Sequence, residues 1–350
     1  MPEKILLVRN DRIGDLVLTT PAIAAVGKSL PGARIDLLCS SSAEAVVRGN
    51  PYVNEVLTDR GANDSSDLKE LVERIRQRRY DCAVVLVNSL KNARLVRRAG
   101  IPLRVGPLVR WYAPLYFNRV VRQKRSLAEK SEAVYSLDLL APLGVKAGKL
   151  PPVLVIPTPG ALSRAGELLC TIFDSGPDLP LLVIHPGMGG SALNWPEERW
   201  SELVGLLAQS GKYRVLVTGS ESETWLAARV CSAAANNSLV RNITGISLED
   251  FIGLLSLASG AAAPSTGPLH LATATGVPVA AGIYSPVRAQ HPRRWGPLGK
   301  GRCKIFLPDV ECPGKLDCLG SRCELFPCMG RIRARAVFDY LDSTLSRPGD

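Results

Sequence analysis

The chain has 350 residues, 46% of them hydrophobic and 21% charged, with a net charge of +11 at neutral pH. That length suits two domains of roughly 150 to 180 residues, each able to bury its own core, and the composition excludes a disordered chain. No apolar run approaches the roughly 18 to 20 residues of a membrane span, and Arg9, Asn10 and Asp11 interrupt the apolar N-terminal run at once, so neither a spanning helix nor a signal peptide is expected and the expected address is the cytoplasm.

In chain order, Lys4 to Val8 reads as a strand, Asp15 to Ser29 as a helix and Arg34 to Cys39 as the next strand. This alternation of β-branched and amphipathic stretches is the mark of parallel βαβ units. Asn50 and Pro51 interrupt before a third strand at Val53 to Leu57, because proline disfavours helix at its own position and the one before. Asp64 to Arg79 reads as a helix with Asp64 or Ser65 as N-cap, and Cys82 to Val87 as a strand covered on both faces. From Lys91 to Lys130 the pattern is irregular, with Trp111, Tyr112, Tyr116 and Phe117 set among arginines. Residues 74 to 130 hold 15 Lys and Arg against two acids, Asp81 and Glu129, so the excess positive charge is concentrated in one window. Such a surface attracts phosphate-rich partners, and a solvated basic face is the plainer alternative.

Four prolines in the segment KLPPVLVIPTPG mark a domain boundary, giving domains 1–157 and 158–350. The second half repeats the alternation: strand Leu181 to His185, helix Pro196 to Ser210, strand Tyr213 to Thr218 and helix Ser222 to Ala235. A helix opened by the capping-box-like Ser247 to Asp250 follows. Strand Ala261 to Ala263, helix Pro268 to Thr275, strand Val277 to Ile283 and a terminal helix from Arg331 to Leu345 complete the chain. The expected fold class is therefore α/β, two doubly wound halves around a cleft, with ligands at the carboxyl ends of the strands. Of nine cysteines, Cys303, Cys312, Cys318, Cys323 and Cys328 crowd near the end without a Cys-x-x-Cys pair, which signals no structural zinc site but leaves coordination by four cysteines at wider spacings open. A disulfide framework fits a cytoplasmic address poorly.

Two loops carry the candidate chemistry. Arg9-Asn10-Asp11-Arg12-Ile13-Gly14-Asp15 follows the first strand directly. Asp15 is there either an N-cap or a general base that takes a proton from an attacking hydroxyl. No Gly-x-Gly-x-x-Gly is present, so a nicotinamide or flavin cofactor is not expected. Ser265-Thr266-Gly267-Pro268-Leu269-His270 joins a strand to a helix whose free N–H groups and dipole make an anion site. The two hydroxyls can add hydrogen bonds and His270 can donate to a phosphate. A lone histidine on an apolar helix otherwise serves as a packing residue. Gly187 and Gly189, in a second small-residue loop, allow close backbone approach, and Glu223 lies where a ribose diol could be bound.

Four stretches, KILLVRNDRIGDLVLTTPAI at 4–23, RIDLLCSSSAEAVVRGNPYVNEVL at 34–57, HPGMGGSALNWPEERW at 185–200 and STGPLHLATATGVPVAAGIYSP at 265–286, together resemble the heptosyltransferases of glycosyltransferase family 9. The resemblance implies a GT-B fold of two Rossmann-like domains, an acceptor-binding N-terminal one and a nucleotide-sugar-binding C-terminal one. It implies inversion at the anomeric carbon without a required metal or other cofactor. Asp15 falls on the family's catalytic base, Thr266, Gly267 and His270 on its diphosphate site, and Glu223 on its ribose-binding acid. The implied partners are a nucleotide-sugar donor, ADP-heptose or similar, and an anionic lipid-linked glycan of the lipopolysaccharide core at the cytoplasmic face of the inner membrane. Arg94, Arg97, Arg98 and Arg122 are then candidate acceptor contacts in a peripheral membrane surface. The chain departs from the family at Ser265, where an aspartate is usual, and at Leu193, where a lysine or arginine is usual. Those departures motivate the alternative of a catalytically impaired module that docks on phosphorylated lipid or glycan. No nucleic-acid module accompanies the basic charge, so a nucleic-acid partner is not expected.

Overall fold

The computed structural model describes residues 1–61, 65–145, 148–173, 178–190, 192–235 and 237–346. The N-cap expected at Asp64 or on the Ser65 side chain lies outside the described residues. The chain divides into two compact units, residues 1–125 with 129–156, and residues 157–350 with 126–128.

The first unit is a six-stranded parallel sheet of β1 (Lys4–Val8), β2 (Arg34–Ser40), β3 (Glu55–Asp59), β4 (Cys82–Val85), β5 (Leu103–Leu108) and β6 (Arg119–Arg122), in the order β3-β2-β1-β4-β5-β6. Its helices are α1 (Ile13–Val17), α2 (Thr20–Ser29), α3 (Ser65–Gln77), α4 (Leu90–Arg98), α5 (Ala113–Tyr116) and α6 (Glu132–Asp138). Ile5 to Val8 and Cys82 to Val85 are buried throughout, as the central strands of a sheet with helices on both faces must be. The helix expected over Asp15 to Ser29 is two helices: the first ends at Val17 with Leu18 as its C-cap, and α2 starts with Pro21 in its first turn, where the missing N–H costs nothing. The third strand lies two residues later than expected, paired from Asp36–Glu55 to Ser40–Asp59. The stretch from Lys91 to Lys130 is more regular than its sequence suggests, holding most of α4 together with β5, α5 and β6. Its period is masked because β6 is an edge strand carrying Arg119 and Arg122, charges that protect an unpaired edge.

The second unit repeats this topology. After α7 (Pro159–Phe173) come β7 (Leu181–Ile184), α8 (Glu197–Ser210), β8 (Arg214–Gly219), α9 (Thr224–Ser232), β9 (Val240–Thr244), α10 (Leu248–Ser256), β10 (Gly260–Pro264), α11 (Gly267–Thr275), β11 (Val279–Ile283), α12 (Pro292–Trp295), β12 (Arg302–Phe306) and α13 (Ala334–Leu345). The parallel sheet runs β12-β11-β10-β7-β8-β9. Trp195 and Trp200 meet edge to face at 4.8 Å in its core, and α13 closes it with Val337 and Leu341 fully buried. Ser247 caps α10 by accepting from the Asp250 N–H at 3.1 Å, as its sequence predicts. The nine cysteines are unpaired. Cys312, Cys318, Cys323 and Cys328 line one small pocket beside Leu193, and among the described residues no three His, Cys, Asp or Glu side chains are grouped to hold a metal ion. No helix among those residues is long and apolar enough to cross a membrane.

Candidate functional site

In each sheet the order of strand connection reverses once, between β1 and β4 in the first unit and between β7 and β10 in the second. Ligands of doubly wound sheets bind at the carboxyl ends of the strands beside such a reversal.

In the first unit Asp15 is the third residue of α1, not its N-cap; Arg12 holds the cap position, with no side-chain cap bond. The Asp15 carboxylate is paired with the Arg9 guanidinium and its side chain is 12% exposed. Arg9 directly follows β1 and is itself buried. Its Nε donates to Asp11 at 2.8 Å, and its Nη1 donates to the Leu86 carbonyl and to Glu132, each at 3.1 Å. Arg125 reaches the same two acceptors, Glu132 Oε1 at 2.7 Å and the Leu86 carbonyl at 3.1 Å. Burial pushes the Asp15 carboxyl up to about 6 against the pull of Arg9, and Asp11 and Glu132 push it the same way. Burial works against the charge of Arg9, but Asp11, Asp15 and Glu132 outweigh it and raise its pKa. A carboxyl near 6, held by a fixed cation and still reached by solvent, has the properties of a general base at neutral pH.

Beside it on the same edge Asn10 donates to Asp59 at 2.7 Å and accepts from Asn92 at 2.6 Å, and Lys91 meets Asp59 at 3.0 Å. The four arginines expected to face an acceptor are spread out. Arg122 ends β6 and so lies on the carboxyl edge. Arg97 and Arg98 occupy the last turn of α4, at the opposite edge where β5 begins. The Arg97 guanidinium donates to the Leu115 carbonyl and stacks 5.6 Å over Tyr116, while Arg94 reaches the Tyr116 hydroxyl at 3.4 Å.

In the second unit three adjacent strands, β10, β7 and β8, deliver the candidate residues to one edge. The loop after β7 holds Gly187 and Gly189, and that after β8 leads to Glu223. A Cβ on Gly187 would sit 2.2 to 2.4 Å from the Glu223 carboxylate, so glycine there leaves the room that this carboxylate occupies. Gly189 has φ +52°, a left-handed conformation that favours glycine, and its N–H donates to Glu223. Burial raises the Glu223 carboxyl, but the Ser220 hydroxyl and N–H, at 2.7 and 2.9 Å, outweigh it and hold it below the ordinary range. His185, directly after β7, contacts Thr218 Oγ1 at 3.0 Å, and burial drives it down to about 4 despite Glu223. It is therefore neutral, and its 3.9 Å approach to Glu223 is not an ion pair.

Thr266 is the extended N-cap of α11, with Pro268 in its first turn. The N–H groups of Gly267 and Leu269 lie where a helix has no internal acceptors. His270 is 4% exposed and burial lowers it to about 4, so it too is neutral. Its Nδ1 is buried without a hydrogen-bond partner among the described residues. An unmet polar atom costs about 1–3 kcal/mol, which a plain packing role leaves unexplained. The two positions that depart from the family pattern are accommodated without stray charge: the Ser265 side chain bonds that of Tyr284, and Leu193 packs against the unit's core. Arg9, Arg125, Glu132 and His185 were not singled out by sequence reasoning. Arg9 shares a loop with Asp15 and could have been, whereas Glu132 lies more than a hundred residues away and no local pattern joins it to Asp15.

The profile of glycosyltransferase family 9 (heptosyltransferase) matches residues 68–318. A Haemophilus influenzae protein assigned provisionally as a glycosyltransferase is 31% identical over 85% of this chain and 86% of its own length. The lipopolysaccharide heptosyltransferase 2 of Salmonella typhimurium is 26% identical over 81% of this chain and 83% of its own. The solved Escherichia coli ADP-heptose lipopolysaccharide heptosyltransferase II superposes with a TM-score of 0.79 at 21% identity, covering 98% of each chain, which identifies the pair of Rossmann-like units as the GT-B fold. The chain belongs to glycosyltransferase family 9, the heptosyltransferase family, and is a glycosyltransferase.

Proposed function

We propose that this enzyme transfers a heptose, or a closely similar sugar, from a nucleoside-diphosphate donor, ADP-heptose foremost, to a lipopolysaccharide core or related envelope glycan, with inversion. Asp15 takes the proton of the acceptor hydroxyl as that oxygen attacks the anomeric carbon. The donor diphosphate lies at the start of α11, where the N–H groups of Gly267 and Leu269 and the hydroxyls of Ser265 and Thr266 stabilise the charge that develops on the leaving group. His270 is a neutral donor in this reading. Glu223, deprotonated and braced by Gly189 and Ser220, accepts from the ribose hydroxyls.

The observation that carries the reading is Asp15 itself: a part-exposed carboxyl at the strand-order reversal, held by a buried arginine and raised to about 6. The names of the Salmonella and E. coli relatives supply the donor and acceptor class. The test is a donor and acceptor screen followed by mass spectrometry. Heptose transfer from ADP-heptose with wild-type enzyme, lost in Asp15→Asn, supports the reading. Turnover retained by that variant would overturn the assignment of the base.

A peripheral membrane contact goes with it. Trp111 is 83% and Leu115 56% exposed, next to Tyr112, Tyr116 and the arginines of α4, an amphipathic mix suited to an anionic lipid interface. Co-sedimentation with vesicles containing phosphatidylglycerol checks it: Trp111→Ala should weaken binding, and unchanged partitioning would remove this face from consideration.

A further inference from the structure

Asp15 has a share of Arg9, not the whole of it. The guanidinium is divided between Asp15, Asp11, Glu132 and the Leu86 carbonyl. Behind it Arg125 donates to the same oxygen of Glu132 and to the same carbonyl, so two arginines are locked side by side across two shared acceptors. Arg125 is held in turn by Gln123 Oε1 at 2.7 Å, Gln123 by the Tyr135 carbonyl at 2.6 Å, and the Tyr135 ring lies 5.7 Å from the Arg125 guanidinium. Exposure rises along the array from nothing at Glu132, 1% at Arg9 and 9% at Arg125 to 12% at Asp15 and 28% at Asp11. The charged interior is most open to solvent at the Asp15 and Asp11 carboxylates. Buried ion arrays are seldom more stabilising than apolar packing of the same volume, so one that ends on a reactive group calls for a functional account.

We propose that Glu132 and Arg125 are positioning residues for the transfer reaction, which set how much of Arg9 is available to Asp15 and thereby orient that carboxylate and tune its hold on a proton. The inference rests on the reading of Asp15 as the base. Neither residue touches substrate; both act through Arg9. The charged groups around Asp15 are Arg9 and Asp11 on the loop after β1 and Glu132 at the start of α6. The 3-10 turn at Ser41–Val46 also packs near α1, and its one titratable side chain, Glu44, is engaged with Arg48 at 3.2 Å.

The signs of the expected effects are opposite, which a merely structural role would not produce. Glu132→Gln removes a negative charge that favours protonated Asp15 and frees Arg9 for it, so the acid limb of kcat/KM moves down by about 0.5 to 1 pH unit. Arg125→Met removes one cation from Glu132 and makes it draw more on Arg9. The limb then moves up by about the same amount, and kcat/KM on its acid side, near pH 5, falls about 3- to 10-fold. The double variant Arg125→Met/Glu132→Gln removes one charge of each sign and returns the limb towards its wild-type position. Donor KM stays within about twofold in all three. Carboxyl carbon-13 NMR of Asp15 reads the same displacements without turnover, so the network is tested even if Asp15→Asn shows that another group is the base. Should Glu132→Gln fail to fold, Arg125→Lys keeps the charge and loses the two-pronged contact: kcat falls while the limb stays within about 0.3 unit. In the charge-removing variants Glu132→Gln and Arg125→Met, uniform loss of activity at every pH with no displacement of the limb or of the Asp15 resonance would overturn the proposal, as would unchanged profiles in every variant.

Discussion

The two units share one sheet topology and one place of reversal, yet they fill that place with opposite electrostatics. In the first, the reversal between β1 and β4 holds a buried array of full charges, Arg9 and Arg125 against Asp11, Asp15 and Glu132. In the second, the reversal between β7 and β10 holds two uncharged histidines, hydroxyls, glycine backbone and a helix start, with Glu223 the one ionised group named there. Under the proposed function, the contrast is a division of labour. A site that moves a proton needs a titrating group held near the working pH by neighbouring charges. A site that receives a dianionic diphosphate is better served by fixed dipoles and N–H groups, which need not change protonation and leave no charge unpaired when the ligand departs.

The strongest way to break this division is Asp15→Asn. If the first unit carries the chemistry, turnover should fall by a factor of about 10² to 10⁴, while calorimetry shows ADP binding unchanged. Stability should not fall with it. A carboxyl raised to about 6 from an ordinary value near 3.8 binds its proton more tightly in the folded state. It therefore withdraws stability as pH rises through that window, and at pH 8 the full penalty is present. The amide has no such penalty, so the variant should melt at or above the wild-type temperature at pH 8. A clear fall in Tm would mean that Asp15 is a structural anchor of Arg9.

The converse change on the second unit is Gly187→Ala. The new methyl would overlap the Glu223 carboxylate and push it off Ser220 and Gly189. Nucleotide affinity should fall about 10- to 100-fold, corresponding to roughly 1–3 kcal/mol for disrupted hydrogen bonds to a charged group. The pH dependence of the catalytic step, belonging to the other unit, should not move. Unaltered ADP affinity would detach Glu223 from the donor.

How much of this was legible beforehand follows the same division. The second unit's candidates sit in runs of neighbouring residues, Gly187 and Gly189 or Ser265 to His270, because helix starts and strand-end loops are local chemistry. The fold itself was readable from the buried strands, since a continuous apolar run such as Cys82 to Val85 has few other uses. The interior strand β5 and the edge strands β6, β9 and β12 were not, because part-exposed strands such as Arg119 to Arg122 carry no apolar period. The first unit's array was hidden for a different reason: Arg9 and Glu132 are joined only by the packing of α6 near the ends of β1 and β4, and a buried arginine reads in sequence as one more surface charge. The basic window misled in the same way, since Arg125 is buried in that array, Arg78 pairs with Glu55 and Arg104 is used on backbone carbonyls.

The smallest expected effect sharpens the contrast on its neutral side. His185 and His270 are both held near 4 by burial, against an ordinary value of 6.5. As pH falls below 6.5 the unfolded chain takes up protons at these two positions and the folded chain does not, so stability falls with pH until about 4, below which both states are protonated. The loss comes on between roughly pH 6.5 and 4, on the order of 1–3 kcal/mol for each residue. His270→Gln should flatten part of that slope in a Tm-against-pH series, and the flattening should survive in an Asp15→Asn background, because the two groups lie in different units. Added ADP should raise Tm across the same range, more at pH 7 than at pH 5.5 if a neutral imidazole is the form that meets the diphosphate. A larger stabilisation at pH 5.5 would show instead that the ligand recruits a protonated His270, and the second site would then be one that gains a charge on binding.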